Sequence, residues 1–334
     1  MKEVYVLGAG ASKACGGPLT AELLPQAFRH RAKIDQDGRI AMVEGFLRDF
    51  FAMDFSQGFE NGRYPAIGEV LSLIDFALAD KLGLGPRFNG DYLRHMRQSI
   101  EFLVFAILDH KLKHLTNGNL TPSFAGKLPD DSTIISLNYD IIIDKALDGG
   151  RWNERGINYG IEFGNCSSEP GLTPRLYKLH GSLNWLFCPT CNLIYFGGMK
   201  KVIRNIYEPR EIYVRRAVCQ RDGTALDPVL ITPTALKERP YVQLSYLWLL
   251  AEEEVRKAGK VVFIGYSLPA EDIHMKYLFK RALTNNEYGD QLEIHVVNKT
   301  QARESRTLHR YQRLFGPKVK YFGGGFRDYV ENQM

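Results

Sequence analysis

The amino-terminal segment of the chain reads Val4-Tyr5-Val6-Leu7-Gly8-Ala9-Gly10-Ala11-Ser12. Its first four residues are apolar, with β-branched and aromatic side chains, which is typical of a buried strand. Glycines follow directly, and a helical pattern starts within the same segment. α/β proteins use this arrangement to hold a pyrophosphate, because glycine lets the backbone approach the ligand and amide groups at the helix start favour an anion. A tight turn between a strand and a helix is the alternative interpretation.

Two familiar nucleotide-binding loops do not fit this segment. It has no Gly-Lys-Ser/Thr ending, so it is not the phosphate-binding loop of NTPases. A dehydrogenase fingerprint requires a small residue where Lys13 stands and an acidic residue at the end of a second strand about twenty residues later. Residues Leu24–Phe28 are helical in pattern instead. Hydride transfer on an ordinary dinucleotide-binding fold is therefore disfavoured.

Short apolar runs rich in β-branched residues recur along the chain. They lack clean alternation, as expected of strands that are buried on both faces of a parallel sheet. The sequence predicts an α/β protein with a Rossmann-like open parallel sheet. The predicted strands are Val4–Leu7, Thr133–Leu137, Leu176–Leu179, Val229–Thr232, Val261–Gly265 and Leu292–Val297.

The spacing of these strands predicts two insertions. More than a hundred residues separate the first two runs, and this interval is mainly helical in pattern. In Ile67–Leu82, for example, one helical face carries Ile67, Val70, Leu71, Ile74, Leu78 and Leu82. We predict a single domain over residues 1–334, with a helical insertion at about residues 20–128 and a small cysteine module at about residues 186–225. The helical insertion is either a packing layer or a lid.

Composition and charge exclude several classes of protein. The 334 residues carry a net charge of +5, and the basic residues come in short pairs such as Lys200-Lys201 and Arg215-Arg216, so direct nucleic-acid binding is disfavoured. Charges interrupt the most apolar helical stretch, Tyr92–Leu115, so we expect no membrane span. The start has no secretory pattern, and five cysteines form no disulfide framework. We expect a cytoplasmic protein.

Polar residues follow several of the predicted strands, where ligands bind in open α/β sheets. Buried polar groups are unfavourable unless a partner satisfies them, and a ligand is a natural partner. The converging set comprises Ser136-Leu137-Asn138-Tyr139-Asp140, His180-Gly181-Ser182, Gly265-Tyr266-Ser267-Leu268 and Asn298.

At these motifs the sequence resembles the sirtuin superfamily. The loop Gly8–Ser12 is similar to the Gly-Ala-Gly-x-Ser loop of that family, and Asn138-Tyr139-Asp140 resembles its Asn-Ile-Asp motif. His180-Gly181 is similar to its catalytic His-Gly, and Gly265-Tyr266-Ser267 to its Gly-Thr-Ser. Asn298 stands where the family has an asparagine that holds the adenine-side ribose. The order and the strand context match over nearly the whole chain.

The resemblance implies that the chain binds NAD as a substrate and cleaves its bond to nicotinamide. Asn138 would position the ribose and the attacking group, Asp140 would accept a hydrogen bond from the nicotinamide amide, and His180 would act as a general base. The other residues that the resemblance assigns to NAD binding are Gly8, Ala9, Gly10, Ala11, Ser12, Gly265, Ser267 and Asn298.

The chain departs from the protein-deacylating sirtuins in two places. After the glycine loop it reads Gly16-Gly17-Pro18-Leu19-Thr20 and lacks the Phe-Arg of that family. The stretch that would pair with an acyl-lysine peptide is Val229–Thr234, in which Pro233 disfavours strand addition. These features make the chain most similar to bacterial sirtuin-like NAD hydrolases of antiviral defence. That resemblance implies a homo-oligomer and a separate activator or sensor protein, such as a helicase-like ATPase.

The resulting hypothesis is an NAD glycohydrolase that produces nicotinamide and ADP-ribose. Two alternatives stay open. One is an NAD-dependent protein deacylase or ADP-ribosyltransferase, whose nicotinamide release would depend on an added acceptor. The other is a sensor that binds NAD or ADP-ribose without turnover.

The cysteine module raises the question of zinc. A structural zinc site needs four ligands, commonly two Cys-x-x-Cys pairs. The chain supplies Cys188, Cys191 and Cys219, while Asp222 stands where a fourth cysteine would be expected. Zinc held by the three cysteines with either Asp222 or Cys166 is one interpretation, and a module without metal is the other.

Overall fold

The computed structural model describes residues 1–35, 37–56, 58, 63–112, 119–149, 156–166, 175–197, 217–231, 241–300 and 305–334. The chain divides into two compact units. The first comprises residues 1–15, 116–231 and 239–334, and the second comprises residues 16–115 and 232–238.

The first unit is built on a six-stranded parallel sheet. Its strands are β1 (Glu3–Leu7), β2 (Thr133–Ser136), β3 (Arg175–Lys178), β7 (Lys260–Ile264), β8 (Glu293–Val297) and β9 (Val319–Phe322). They lie in the order β3-β2-β1-β7-β8-β9, and every neighbouring pair is parallel. The predicted α/β fold with an open parallel sheet is confirmed.

Burial on both faces explains the apolar character of the central strands. The side chains of Val4–Leu7 in β1 are all buried, as are Val261–Ile264 in β7. A strand that contacts apolar side chains on both faces has no polar face, so alternation is absent. At one edge, β9 begins with buried Val319 and continues with exposed Lys320.

A second, antiparallel sheet forms the small module. It contains β4 (Gly181–Cys188), β5 (Leu193–Phe196) and β6 (Asp227–Leu230) in the order β5-β4-β6. The prediction that Val229–Thr232 forms a strand of the parallel sheet is therefore wrong, because Val229 and Leu230 belong to β6. Only two residues separate β3 from β4, which leaves the parallel sheet. Because β6 pairs with β4, it belongs to the antiparallel sheet.

Helices connect the strands of the first unit. They are α1 (Ala9–Ala14), α6 (Thr121–Lys127), α7 (Ile142–Asp148), α8 (Val242–Arg256), α9 (Ile273–Thr284), α10 (Arg306–Phe315) and α11 (Gly325–Asn332). The start of α10 has a side-chain cap, since the hydroxyl of Ser305 accepts a hydrogen bond from the N–H of Leu308 at 3.1 Å. Helix α8 packs on β3, and α9 packs on α8.

The second unit is helical. It contains α2 (Leu23–Ile34), α3 (Arg39–Phe50), α4 (Ile67–Ala79) and α5 (Gly90–Leu112). Helix α5 packs against the other three, and in α4 the predicted apolar face is largely buried at Ile67, Val70, Leu71 and Ile74. The helical pattern predicted at Leu24–Phe28 is confirmed by α2. The single-domain assignment with insertions at residues 20–128 and 186–225 stays a prediction.

Some sequence features lie outside the described residues. These are Gly198, the basic pairs Lys200-Lys201 and Arg215-Arg216, and Thr232-Pro233-Thr234. Among the helices that the structure describes, none combines the length and the apolar character needed to cross a membrane.

Candidate functional site

The loops that follow β1, β2, β3 and β7 meet at one edge of the parallel sheet. All four strands run in the same direction, so their carboxyl ends lie together. Backbone hydrogen bonds join the successive loops. The N–H of Leu137 donates to the carbonyl of Leu7 at 2.9 Å, and the N–H of Gly8 donates to the carbonyl of Ile264 at 2.9 Å. The loops therefore form one hydrogen-bonded surface within the first unit.

The glycines of the first loop allow two loops to touch. A Cβ atom on Gly10 would lie 2.7 Å from the Cα of Gly265, and one on Gly8 would lie 2.6 Å from the Cα of Tyr266. Gly265 itself has φ of +64°, a backbone conformation that favours glycine. These positions require glycine because backbone lies against backbone.

The amide groups of the glycine loop are largely engaged within the protein. The N–H of Gly10 donates to the carbonyl of Gly265 at 2.8 Å, and the N–H of Ala11 donates to the carbonyl of Gly8 at 2.9 Å. Together with the bond from Gly8 to Ile264, these contacts hold the glycine loop against the end of β7 and the loop that follows it. This differs from the expected nest of successive amides aimed at an anion.

Asn138 and Asp140 are held against the glycine loop by their side chains. The Asn138 amide nitrogen Nδ2 donates to the carbonyl oxygen of Gly8 at 2.9 Å. The Ser12 hydroxyl donates to the Asp140 carboxylate oxygen Oδ2 at 2.6 Å, and both side chains are buried. The structure therefore brings Asn138 and Asp140 to a loop that lies more than a hundred residues before them in the sequence.

Each oxygen of the Asp140 carboxylate accepts one hydrogen bond within the protein. Its Oδ1 accepts a hydrogen bond from the N–H of Ile142 at 3.0 Å, at the start of α7. Burial raises the pKa of this carboxyl above its ordinary value of 3.8, because a charged carboxylate is poorly solvated there. The nearby Lys178 ammonium group and the hydrogen bond from Ser12 oppose that shift.

His180 lies two residues after the end of β3 and is buried, with 6% of its surface exposed. Its Nδ1 atom lies 3.1 Å from the carbonyl oxygen of Leu137. A carbonyl oxygen only accepts, so Nδ1 must carry the proton, and in the neutral imidazole the lone pair is then on Nε2. The centroid of its ring lies 6.3 Å from that of Tyr139 and 6.5 Å from that of Trp248.

Neighbouring groups fix the position of His180. The Tyr139 hydroxyl donates to the carbonyl of Ile231 at 2.8 Å, and the Trp248 indole N–H donates to the carbonyl of Leu179 at 3.0 Å. Gly181 follows with φ of +83°, and a Cβ there would lie 2.1 Å from the carbonyl oxygen of Val229. The His-Gly pair is thus a turn that only glycine allows.

Residues on the β7 and β8 side extend the same edge of the sheet. The N–H of Gly265 donates to the carbonyl of Val297 at 2.9 Å. Ser267 is exposed, and its carbonyl oxygen accepts a hydrogen bond from Arg310 at 3.1 Å. Asn298 follows β8, and its side-chain oxygen accepts from the N–H of Lys299 at 2.7 Å. The contacts above do not join Ser267 or Asn298 directly to Asn138 or His180.

A buried ion pair beneath the site was not expected from the sequence. The Lys178 ammonium nitrogen lies 2.9 Å from Oδ2 of Asp144, and both side chains are fully buried. A charged residue inside the apolar run Leu176–Leu179 was the signal that could have revealed it, since a lysine in a strand buried on both faces needs a partner.

The cysteine module gathers a possible ligand set. The ligand atoms of Cys188, Cys191, Cys219 and Asp222 all lie within 4.8 Å of one another. The Cys191 and Cys219 sulfurs are 3.8 Å apart. With Zn–S distances of about 2.3 Å, two ligands of a tetrahedral zinc ion are separated by roughly 3.8 Å. The donor set therefore fits zinc.

Asp222 completes this group in the structure. Its Oδ2 lies 3.4 Å from the Cys188 sulfur, and its Oδ1 accepts a hydrogen bond from the N–H of Thr224 at 2.9 Å. Cys166 is exposed and is not a member of the group that the described residues form. Of the two candidate fourth ligands, Asp222 is the one that the fold brings to the three cysteines.

Comparisons with known proteins give structural neighbours only. No protein-family model matches the chain, and no curated protein matches it. A Sir2 homologue mutant in complex with 2'-O-acetyl ADP ribose has 16% identity and a TM-score of 0.46, covering 99% of this chain and 89% of its own.

Two further solved structures are similar. A Sir2 enzyme solved for its mechanism and regulation has 13% identity and a TM-score of 0.45, covering 97% of this chain and 87% of its own. A complex of Sir2 with a p53 peptide and NAD+ has 11% identity and a TM-score of 0.40, covering 99% and 91%. At these values the sheet order and the contacts described above are what define the fold and the site.

Proposed function

We propose that the chain is a sirtuin-like NAD glycohydrolase that converts NAD and water to nicotinamide and ADP-ribose. The observation that carries this proposal is that Ser12, Asn138, Asp140 and His180 lie at the carboxyl edge of a parallel sheet, where hydrogen bonds to one another or to the neighbouring loops hold them. The order of these residues resembles the motifs of NAD-cleaving sirtuins. By the same resemblance, we propose a role as an NAD-depleting effector in bacterial antiphage defence.

The reaction passes through a positively charged ribose, and the site must direct the attack of water on it. The bond between C1' of the ribose and the nicotinamide nitrogen breaks, its electrons go to nicotinamide, and an oxocarbenium-like ribose is left. Water then attacks C1', and its proton must be removed. The lone pair on Nε2 of neutral His180 suits it to accept that proton, directly or through a ribose hydroxyl.

Asn138 and Asp140 have complementary tasks in this proposal. The Asn138 amide nitrogen is held by the Gly8 carbonyl, so its side-chain oxygen has a defined direction and can position the ribose and the water. The Asp140 carboxylate keeps acceptor capacity beyond its bonds to Ser12 and Ile142, since each carboxylate oxygen has two lone pairs. It can accept a hydrogen bond from the nicotinamide carboxamide.

The remaining predicted residues would bind the rest of NAD. The glycine loop and the loop Gly265–Ser267 lie against each other, and together they would bind the pyrophosphate, while Asn298 would bind the adenine-side ribose. The three cysteines and Asp222 would hold a zinc ion that stabilises the small antiparallel sheet. A homo-oligomer and a separate activator such as a helicase-like ATPase belong to the proposal by resemblance alone.

The first experiment incubates the purified chain with NAD alone and quantifies nicotinamide and ADP-ribose, with His180→Ala as the matched variant. Release by the wild type in the absence of any peptide, together with its loss in the variant, would support the hydrolase. A parallel reaction with an acyl-lysine peptide tests the deacylase alternative, since nicotinamide release that requires the peptide contradicts a simple hydrolase. NAD binding without consumption in every reaction would favour the sensor.

A further inference from the structure

The ion pair of Lys178 and Asp144 is part of a larger buried network that the mechanism above does not use. The Lys178 ammonium group also donates to the backbone carbonyl of Asp140 at 2.5 Å. The Tyr159 hydroxyl donates to the other carboxylate oxygen of Asp144, Oδ1, at 2.9 Å. The Lys178 and Asp144 side chains are fully buried, and Tyr159 is 3% exposed.

Stability alone does not account for such a network. Removing an ammonium and a carboxylate group from water opposes folding about as strongly as their mutual attraction favours it, and apolar side chains of similar volume often replace a buried ion pair without loss. An apolar side chain cannot, however, donate a hydrogen bond to the carbonyl of Asp140. The charged pair thus provides a contact to the backbone of a proposed site residue.

Two side chains at the end of β3 contact backbone carbonyl groups of the segment after β2. Lys178 ends β3, and His180 follows two residues later. Lys178 binds the carbonyl of Asp140, and His180 binds the carbonyl of Leu137. The four-residue segment 137–140, which carries Asn138, is therefore held at both ends by side chains from the same strand end.

We propose that Lys178 is a positioning residue of the NAD-cleaving site, which holds Asn138 and Asp140 in place through the Asp140 carbonyl. Asp144 balances the charge of the ammonium group and, with Tyr159, fixes its position. This inference rests on the proposed function for its effect on catalysis. Its effect on the backbone of segment 137–140 is independent of that function.

The test uses the full chain with both charges of the pair removed. Lys178→Met alone would leave Asp144 buried without a partner, and the chain could fail to fold. The double variant Lys178→Met/Asp144→Asn carries no uncompensated charge, and the new amide still accepts the hydrogen bond from Tyr159. The matched control is Lys2→Met/Glu254→Gln, which removes an ion pair of 2.6 Å at the opposite, amino-terminal end of the strands.

Hydrogen exchange reports the positioning role directly. In the double variant we expect the amides of residues 137–142 to exchange at least about tenfold faster, while those of 261–264 keep wild-type protection. The control variant should change neither segment selectively. Equal acceleration in both segments would mean that the pair only stabilises the fold, and wild-type exchange in segment 137–142 would mean that Lys178 does not hold it. Either result overturns the inference.

Kinetics report the consequence for catalysis. We expect the double variant to lose at least about tenfold in kcat for nicotinamide release with a smaller change in KM, because the loop that aligns the ribose is affected more than the pyrophosphate surface. A wild-type kcat in the folded double variant would overturn the inference. If the wild type itself releases no nicotinamide under any condition, the proposed function fails, and hydrogen exchange still decides whether Lys178 positions the segment.

Discussion

The Nδ1 atom of His180 lies 3.1 Å from the carbonyl oxygen of Leu137, three residues before Asp140, which contacts Ser12 and the start of α7. This contact sets the tautomer of the imidazole, because the carbonyl can only accept. The ring of His180 is thus oriented by the same backbone segment that carries Asn138. In the proposed mechanism, general-base chemistry and substrate positioning would therefore both depend on one short stretch of chain.

Replacing His180 should abolish turnover while leaving the fold intact. We expect His180→Ala to reduce nicotinamide release by about a hundredfold to ten-thousandfold, the usual contribution of a general base. The readout is product formation from NAD, together with thermal unfolding. The exposed His309 in α10 provides the control, and His309→Ala should behave as the wild type. Comparable loss in both variants would contradict a specific role for His180.

Replacing Asp140 by asparagine should raise the stability of the protein at pH 7 and lower its activity. Burial raises the pKa of Asp140 above 3.8, so at pH 7 its ionised form opposes folding. We expect Asp140→Asn to be more stable than the wild type at pH 7. This gain should shrink as the pH falls towards 3.8 and vanish below it, where the carboxyl is protonated in both the folded and the unfolded state. Thermal unfolding at several pH values measures the difference.

The same variant should lose about a hundredfold in nicotinamide release, because an amide presents one acceptor oxygen in place of two. A variant that is less stable than the wild type at pH 7, or whose advantage grows on acidification, would contradict the assignment of a destabilising buried charge.

The close approach of two loops predicts a strong dependence on glycine. A Cβ on Gly10 would lie 2.7 Å from the Cα of Gly265, so we expect Gly10→Ala to destabilise the protein by about 1–3 kcal/mol and to weaken NAD binding. Gly126 in α6 has no atom within 4 Å of an added Cβ, and Gly126→Ala should be neutral or stabilising by about 0.5–1 kcal/mol. Urea unfolding and calorimetric titration with NAD provide the comparison.

The cysteine cluster predicts one zinc ion per chain with an unusual fourth ligand. We expect metal analysis of the purified protein to find zinc, and we expect Asp222→Asn and Cys219→Ser to lose it. Chelation should lower the unfolding temperature of the wild type, since binding energy of a structural zinc contributes to folding. Exposed Cys166 gives the control, and Cys166→Ser should retain the metal. Zinc loss from that variant, or none in the wild type, would contradict the assignment.

The sequence predicts five of the six strands of the parallel sheet and misses the edge strand β9. In β1, β2, β7 and β8, burial on both faces leaves an apolar signature that is readable without the structure. In β9 the exposed Lys320 interrupts a short edge strand, so no such run is visible. The long strand β4 was overlooked because it begins with Gly181, Ser182 and Asn184, polar residues that suggest a loop, although all three are buried.

The sequence likewise indicated some features of the candidate site and not others. Motifs with glycine, histidine and asparagine at strand ends indicated which loops would meet, and the structure brings Ser12, Asn138, Asp140 and His180 together. The sequence did not indicate that the glycine-loop amides are used to dock on Gly265. Nor did it pair Lys178 with Asp144, because a contact between the end of β3 and helix α7 depends on how the helix lies beside the strand, which periodicity does not reveal.

The pairing of the central strand has a consequence for biosynthesis. Val4 in β1 lies beside Thr133 on one side and Val261 on the other, so its neighbours emerge from the ribosome long after it does. The helices between residues 16 and 115 contact one another and can fold before the strands that pair with β1 have been synthesised. We therefore expect unfinished chains to lack the proposed NAD-cleaving site, which would form only once a chain has been synthesised past β7.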